Sequence, residues 1–268
     1  MSSALVTLEH PRPHVAVVLL NSPANLNAMS FDLVGELYER LHEVREHNDT
    51  WVVVLTGSGR SFCSGLELED FGDIPNADGL GLARLGMRAM AYMSGIVPAL
   101  RSLPQPVIAA VNGPAYGGGM CMTLGADIRY ADESAVFCGA GVVNGLTSAE
   151  LGATWMLPRL IGASRSSEML LTGRKVDATE AERIGLVSRV MPDGGAFEAA
   201  LDTAEQMTHL SPFGIMMTKE VLWANLEVGS LTAAVDLENR TQLLAGRTPN
   251  LDEARAAFRE GRRPFYPE

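Results

Sequence analysis

Two glycine-rich stretches of this 268-residue chain place main-chain N–H groups where they can do chemistry. They are GSGRSFCSGLEL, residues 57–68, and NGPAYGGGM, residues 112–120, and each follows an apolar run typical of a buried strand. Glycines lose much backbone entropy on folding, so the triplet Gly117–Gly119 indicates that something approaches the main chain closely. Two converging N–H groups would form an oxyanion hole, which stabilises negative charge on a carbonyl oxygen. The alternative is that both stretches are only tight strand-to-helix turns.

Other chemical patterns are not found in the sequence. No GxxxxGK[ST] phosphate loop occurs, and no GxGxxG opens a helix. All five histidines lie outside the two stretches, so no Ser-His-Asp arrangement is recognisable: His10, His14, His42, His47 and His209. The three cysteines lack CxxC spacing, which favours neither a zinc site nor a disulfide framework and fits a reducing cytoplasm: Cys63, Cys121 and Cys138.

The charge balance limits the class of partner. A net charge of −11 argues against nucleic-acid binding, which needs a basic face. The only lysines are Lys175 and Lys219, so phosphate contacts would mostly use arginine guanidinium groups. The sequence begins without the basic and apolar segments of a secretory signal, and it contains no uninterrupted apolar run of about 18 residues. We therefore expect a cytoplasmic protein without a membrane span.

The order of the elements predicts an α/β fold with a largely parallel sheet. Strands are expected at 4–10, 14–20, 51–57 and 106–113, with helices over 31–47, where Ser30 is a suitable N-cap, and over 80–102. Met87, Met90 and Met93 have helical spacing and are expected in the core or along a pocket. Further helices are predicted at 178–184, 195–209, 212–226, 231–246 and 250–260. We divide the chain into an α/β core, residues 1–195, and a helical region, residues 196–268.

A series of motifs resembles the crotonase, or enoyl-CoA hydratase/isomerase, superfamily. In order they are NSPANLNAMS, LTGSGRSFCSGLEL, PVIAAVNGPAYGGGMCMTLGADIRYA, LPRLIGASRSSEMLLTGRKVDATEAERIGLVSRV and SPFGIMMTKEVL. The resemblance implies a spiral of repeated ββα units with a C-terminal helical trimerisation region. It also implies a homotrimer or a dimer of trimers that binds an acyl-CoA thioester. Coenzyme A would be part of the substrate, with no separate cofactor and no metal.

The resemblance also assigns roles to residues. The N–H groups of Ser64 and Gly118 would form the oxyanion hole. The acyl-CoA would be bound by Asn25, Leu26, Ala28, Ser64, Gly65, Leu66, Glu67, Tyr116, Gly117, Gly118 and Lys219. Besides Lys219, the candidates for phosphate contacts, from the same or a neighbouring subunit, are Arg255, Arg259, Arg262 and Arg263.

Departures from the family pattern argue against ordinary hydration by two glutamates. The positions that correspond to those glutamates hold Cys121 and Gly141. A thiol, with a reference pKa of about 8.5, is a poor proton shuttle, and glycine has no side chain. Glu150, seven residues before Leu157, resembles the acid of dienoyl-CoA isomerases. We therefore expect a double-bond isomerase with Glu150 as acid and base; the alternative is a structural acid in the first turn of a helix.

Three other functions stay open from the sequence. A hydratase or lyase could use displaced acids, for example Glu67 or Glu69 acting through water. A catalytically silent acyl-CoA-binding trimer would also fit the replacements at Cys121 and Gly141. A dinucleotide-binding oxidoreductase is the most distant alternative.

Overall fold

A six-stranded sheet runs through the α/β core of the computed structural model, which describes residues 4–69 and 71–266. The strands are β1 (Val6–Arg12), β2 (Val15–Leu20), β3 (Val52–Gly57), β4 (Val107–Val111), β5 (Ala115–Tyr116), β6 (Ile128–Asp132), β7 (Val136–Cys138), β8 (Val176–Asp177) and β9 (Arg189–Met191). The large sheet has the order β1-β2-β3-β4-β6-β9, and a small sheet has the order β5-β7-β8. In the large sheet only the β1–β2 pair is antiparallel, which confirms the predicted parallel arrangement.

Helices cover both faces of the large sheet. They are α1 (Phe31–Glu46), α2 (Leu82–Ser94), α3 (Ile96–Arg101), α4 (Gly118–Gly125), α5 (Ala153–Ile161), α6 (Ala163–Thr172), α7 (Ala178–Ile184), α8 (Gly195–Thr208), α9 (Pro212–Asn225), α10 (Leu231–Ala245) and α11 (Asn250–Glu260). Helices α1, α3, α4 and α5 contribute to the larger hydrophobic core on one face. None of the described helices is long and apolar enough to cross a membrane.

Helix α8 covers the opposite face. Its buried side chains Ala196, Ala200 and Ala204 pack on the side chains of β2, β3 and β4 that point away from the larger core. The small alanine side chains let the helix lie close to the branched side chains of the strands. The boundary expected at residue 195 stays a prediction, and α8, which begins there, packs as part of the α/β core.

The prediction of one helix over 80–102 is wrong in one respect, because the helix is interrupted at Gly95 and forms α2 and α3. A Cβ at Gly95 would lie 2.6 Å from the Tyr38 hydroxyl, so only glycine allows α1 to approach here. Pro98, inside α3, has no N–H to continue the helical ladder. Met93 is buried as predicted, whereas Met87 and Met90 are 75% and 62% exposed.

The register of the parallel strands brings the two glycine-rich stretches to one sheet edge. Thr56 in β3 pairs with Ala110 in β4, and its hydroxyl donates to the Ala110 carbonyl at 2.8 Å. Just beyond the strands, the Gly57 N–H donates to Asn112 Oδ1 at 3.2 Å. The loops that follow β3 and β4 therefore leave the sheet side by side.

Candidate active site

The two glycine-rich loops are joined by main-chain hydrogen bonds. Cys63 forms a parallel bridge with Ala115, in which the Tyr116 N–H donates to the Cys63 carbonyl at 3.0 Å. A Cβ on Gly119 would overlap the Cys63 carbonyl oxygen, and one on Gly65, whose φ is 94°, would lie 2.7 Å from the Tyr116 carbonyl oxygen. The glycines are thus required first by the close contact between the loops, a reason that the sequence alone did not reveal.

The Ser64 N–H is not available as an oxyanion donor, which corrects the prediction made from the resemblance. It donates to the Leu26 carbonyl at 3.0 Å. The main chain on either side of Leu66 is bonded to Met29: the Met29 N–H donates to Gly65 O at 2.7 Å, and the Glu67 N–H donates to Met29 O at 3.1 Å. In this parallel bridge the Leu66 N–H faces the opposite side, where it has no acceptor among the described residues.

Gly118 has an N–H without an acceptor among the described residues, and its role as the second donor stays a prediction. It is the first residue of α4, so its N–H has no acceptor within the helix, and Gly117 before it provides no side-chain cap. A Cβ on Gly65, the residue before Leu66, would lie 3.6 Å from Gly118 N, which places the two donor segments next to each other. All residues of α4 are buried, and its positive dipole end points toward the same place. The Leu66 and Gly118 N–H groups, neither of which has an acceptor among the described residues, are therefore the candidates for an oxyanion hole.

Glu150 lies beside these donors. Its Oε1 atom is 3.4 Å from the position of a Cβ on Gly117, and its carboxylate has no hydrogen bond or ion pair with any described residue. Burial raises the pKa of Glu150 above its usual value, because the ionised form has lost part of its hydration. A half-buried carboxylate without partners is more basic than an exposed one, which suits proton abstraction.

The alternative role for Glu150, an acid in the first turn of a helix, does not fit. Helix α5 begins at Ala153 and its N-cap is Gly152, so Glu150 precedes the helix. Its carbonyl, rather than its carboxylate, accepts the Ala153 N–H at 2.8 Å. Leu151, the next residue, has a positive φ of 44°, a sparsely populated conformation for a side chain that branches at Cγ. The backbone at Leu151 is therefore locally strained, and the turn that it forms directs the Glu150 carboxylate toward Gly117.

The two positions of the hydratase glutamates are closed to that chemistry. Cys121 is fully buried, and its Sγ lies 3.7 Å from the Glu150 carbonyl oxygen. Burial, with the nearby Glu150 charge, raises the pKa of Cys121 well above its usual value, so the thiol stays protonated. At Gly141 a Cβ would overlap the Thr147 carbonyl oxygen and lie 2.5 Å from its carbon. No side chain fits there unless the main chain moves.

Comparison with known proteins identifies the family of the chain. The sequence profile of the enoyl-CoA hydratase/isomerase family matches residues 12–268. The chain belongs to this family. It is 47% identical to the probable enoyl-CoA hydratase EchA12 of Mycobacterium tuberculosis over 264 residues, 98% of this chain and 93% of the relative.

Solved structures of the enoyl-CoA hydratase/isomerase family have the same fold. A probable enoyl-CoA hydratase/isomerase from Mycobacterium abscessus aligns with a TM-score of 0.93 and 41% identity, over 98% of both chains. A monofunctional enoyl CoA isomerase from Mycobacterium smegmatis aligns with a TM-score of 0.74 and 44% identity, over 87% of this chain and 99% of that one. These neighbours support the crotonase fold predicted from the motifs.

The family's expected CoA-binding segments lie next to each other. The Asn25 side chain donates to Glu67 Oε2 at 3.3 Å, which joins the turn at Asn25–Ala28 to the loop after β3. Glu67 Oε1 accepts the N–H groups of Leu68 and Glu69, so this carboxylate is already used to hold its own loop. Tyr116 is half-buried, and the Lys175 ammonium lies 5.5 Å from the centre of its ring.

Asn27 organises these segments, although no motif in the sequence marked it. It is fully buried with a positive φ of 55°. Its amide nitrogen lies within hydrogen-bond distance of the carbonyls of Ser58, Ser61 and Phe62, and its Oδ1 accepts the Ser22 N–H at 2.8 Å. An asparagine in the middle of the NSPANLNAMS turn was the available signal, since asparagine tolerates left-handed backbone and bonds to neighbouring main chain.

The Lys219 side chain lies away from the candidate site. Its position argues against the phosphate contact that was predicted for it. Its side chain is 5% exposed, and its ammonium pairs with Asp127 Oδ2 at 2.9 Å and donates to the Gln105 carbonyl at 2.8 Å. Of the C-terminal arginines, Arg262 is paired with Glu253 and Glu260, and Arg255 with Asp252. The phosphate-binding roles of Arg255, Arg259 and Arg263, all exposed, stay predictions. The described residues contain no group of three His, Cys, Asp or Glu side chains that could hold a metal ion.

Proposed function

We propose that the protein is an enoyl-CoA isomerase that moves a double bond through a thioester enolate, with Glu150 as the only acid/base. The observation that carries the proposal is the unpartnered, half-buried Glu150 carboxylate beside Gly117 and the N–H groups of Leu66 and Gly118. The 44% identical M. smegmatis protein is named as a monofunctional enoyl CoA isomerase, which supports this choice. The proposal needs no cofactor other than the coenzyme A carried by the substrate.

The proposed reaction has two proton transfers. Glu150 removes a proton from C2 of a 3-enoyl thioester, and the C–H electrons move into the C2–C1 bond while the thioester oxygen becomes anionic. The Leu66 and Gly118 N–H groups stabilise that charge, with the dipole of α4 behind Gly118. The protonated Glu150 then returns the proton to C4, and the double bond moves to C2–C3. One carboxylate is sufficient because the same proton leaves and returns.

The surroundings of Glu150 favour isomerisation over addition of water. Hydration by two glutamates needs a second carboxylate, yet the Cys121 thiol stays protonated and Gly141 cannot carry a side chain in this loop conformation. Glu150, as the single base, can therefore transfer a proton between two carbons of the substrate but has no second carboxylate to activate water.

The substitution Glu150→Gln tests the proposal. It preserves the shape of the side chain and removes its basicity, so isomerisation of 3-enoyl-CoA or dienoyl-CoA should fall by about 10²–10⁴-fold. Binding of a saturated acyl-CoA, measured by calorimetry, should survive. Cys121→Ser is the matched control, since it alters the neighbouring buried side chain without a carboxylate and should keep most of the activity. Unchanged turnover of Glu150→Gln would remove Glu150 from the mechanism.

A hydratase is the second candidate, because relatives such as EchA12 are named probable enoyl-CoA hydratases. Glu67 is the displaced acid nearest the oxyanion donors, but its carboxylate already accepts two loop N–H groups and bonds to Asn25. Incubation of a 2-enoyl-CoA in water labelled with oxygen-18 separates the two functions. Incorporation of the label into a 3-hydroxyacyl product would favour hydration, and a shifted double bond without label favours isomerisation.

We also propose that the protein is a homotrimer or a dimer of trimers that associates through its C-terminal helices. Several apolar side chains of α9, α10 and α11 are exposed in the single chain, among them Leu231 at 81% and Phe258 at 87%. Large exposed apolar patches mark association surfaces in soluble proteins.

A further inference from the structure

A cavity of about 650 Å³ lies between α3, α5 and α9, next to the turn that carries Glu150. Its wall is apolar near Leu151 and Met156, and it also holds an arginine that contacts two tryptophan rings. The side chains that define it are Val97, Arg101, Leu151, Trp155, Met156 and Trp223. The isomerisation proposed above does not use the arginine end.

The apolar end of the cavity adjoins the reacting centre. Leu151, which lines it, follows Glu150 directly, and its Cδ2 atom is 3.6 Å from the position of a Cβ on Gly118. At the other end of α4, a Cβ on Gly125 would lie 3.4 Å from the side chains of Val97 and Leu100, the latter one residue before Arg101. The eight-residue helix α4 therefore runs alongside the cavity, and its ends are separated by about 10 Å at 1.5 Å per residue.

Arg101 is held in a fixed plane at the far end. Its guanidinium carbon lies 4.0 Å from the centre of the Trp223 ring and 4.9 Å from that of Trp155, so two indoles contact it. The Trp223 Nε1–H donates to Asp127 Oδ1 at 2.6 Å, which orients that indole. The guanidinium N–H groups of Arg101 are thus oriented before a ligand binds.

The charge of Arg101 is only loosely neutralised. Among the described residues its one ion pair is with the exposed side chain of Glu227 at 3.7 Å, Asp127 attracts it from a greater distance, and its Nε is buried with no hydrogen-bond partner. Burial lowers the pKa of Arg101, which shows that the guanidinium has lost part of its hydration. A planar, partly dehydrated guanidinium binds a carboxylate more strongly than a neutral group, through charge-assisted hydrogen bonds.

We propose that this cavity binds the acyl chain and that Arg101 binds a carboxylate at its end, so that the preferred substrates are CoA thioesters of ω-carboxyacyl chains. The inference rests on the proposed function for the location of the thioester. An extended chain advances about 3.3–3.6 Å per three bonds, so about 10 Å corresponds to roughly eight bonds. Acyl chains of about six to ten carbons, with an apolar middle and an anionic end, match this length and wall.

Binding of unreactive saturated thioesters tests the inference without turnover. Suberoyl-CoA, with a free terminal carboxylate, is compared by calorimetry with its monomethyl ester, which has nearly the same shape and no charge. We expect the acid to bind about 10–100-fold more tightly than the ester. Arg101→Met should reduce this ratio to about one, and Arg101→Lys, a charge without the fork, should give an intermediate ratio. Equal binding of acid and ester by the unsubstituted protein would overturn the inference.

Two further variants protect the test against misfolding. Glu227→Gln removes the exposed carboxylate that competes for Arg101, so the ratio of the affinities for the acid and the ester should rise about three- to tenfold. An unchanged ratio would count against Arg101 as the anion site. Arg159→Met is the matched control, because Arg159 lies 3.9 Å from the Trp155 ring but outside the cavity, and its ratio should equal that of the unsubstituted protein. If Arg159→Met bound acid and ester equally, the preference for the acid would depend on the Trp155 indole and not on Arg101.

Failure of this inference can be distinguished from failure of the proposed function. Glu150→Gln should keep the acid-to-ester ratio while losing isomerisation. Tight but equal binding of both thioesters would leave the isomerase proposal intact and refute the role of Arg101. If neither thioester binds, both proposals fail together.

Discussion

Substitution of Gly141 by alanine should destabilise the fold and slow the reaction, because the main chain of Thr147 occupies the space of a Cβ. The Thr147 carbon and the Ser148 nitrogen would lie 2.5 Å and 3.0 Å from it. Thr147 is held in place by a closed loop, in which the Leu146 N–H donates to Gly141 O at 2.8 Å and the Ser148 hydroxyl donates to Gly139 O at 2.7 Å. The Val142 N–H also donates to the Ser148 hydroxyl at 3.3 Å.

The magnitude follows from what must move. If Thr147 retreats, these three hydrogen bonds are weakened or lost at about 0.5–1.5 kcal/mol each, so we expect a loss of about 3 kcal/mol in the free energy of unfolding. A chain of this size loses roughly 2–4 °C in melting temperature per kcal/mol, so a loss of about 3 kcal/mol corresponds to about 6–12 °C. Because the loop leads to Glu150, a displacement should also lower kcat for isomerisation.

The assay is urea unfolding at one protein concentration, combined with the rate of isomerisation. Gly86→Ala is the matched control: its Cβ meets no atom within 4 Å in the middle of α2, so it should stabilise the helix by about 0.5–1 kcal/mol. Unchanged unfolding midpoint and turnover in Gly141→Ala would refute the reasoning. The loop would then accept a side chain, and the steric argument against a second catalytic carboxylate would fail.

Three other predictions concern the base, the buried lysine and the assembly. Burial raises the pKa of Glu150 and the base must be ionised, so kcat/KM for isomerisation should rise with pH through an apparent pKa above that of an exposed glutamate and then level off. A profile that falls with rising pH would contradict this. Lys219→Met leaves the half-buried Asp127 without its cation but with the Val107 and Trp223 donors, so it should cost about 3 kcal/mol, while KM for acyl-CoA changes by no more than about threefold. A large rise in KM at unchanged stability would restore the phosphate-binding role. Sedimentation velocity should give a multiple of three of the 28.7 kDa chain, and a concentration-independent monomer would exclude the trimer.

The sheet and several helix boundaries could be predicted because they depend on local signals. The apolar run at 51–57 forms β3, and Ser30 caps α1 by accepting the Leu33 N–H at 3.1 Å. The break between α2 and α3 could not be predicted from periodicity. It depends on the contact between Gly95 and Tyr38, which are far apart in sequence.

Of the two donors of the candidate site, the sequence predicted the one that depends on a local signal. Gly118 was identifiable because the triplet opens a helix, whose first N–H groups have no helical acceptor. The choice between Ser64 and Leu66 depends on their partners, Leu26 and Met29, which come from another part of the chain. Only the three-dimensional pairing shows which N–H is used and which remains.

The use of main-chain donors has a consequence for how this protein and its relatives diverge. Point substitutions alter side chains but leave the Leu66 and Gly118 amides in the chain, so the ability to stabilise an enolate persists while the groups around it change. Under the proposed function, Cys121 and Gly141 stand where the hydratase pattern has acids and Glu150 acts from a different turn, so the reaction differs while the main-chain donors are the same. Selection can explore new proton-transfer geometries in such a scaffold without first losing the most demanding part of the chemistry.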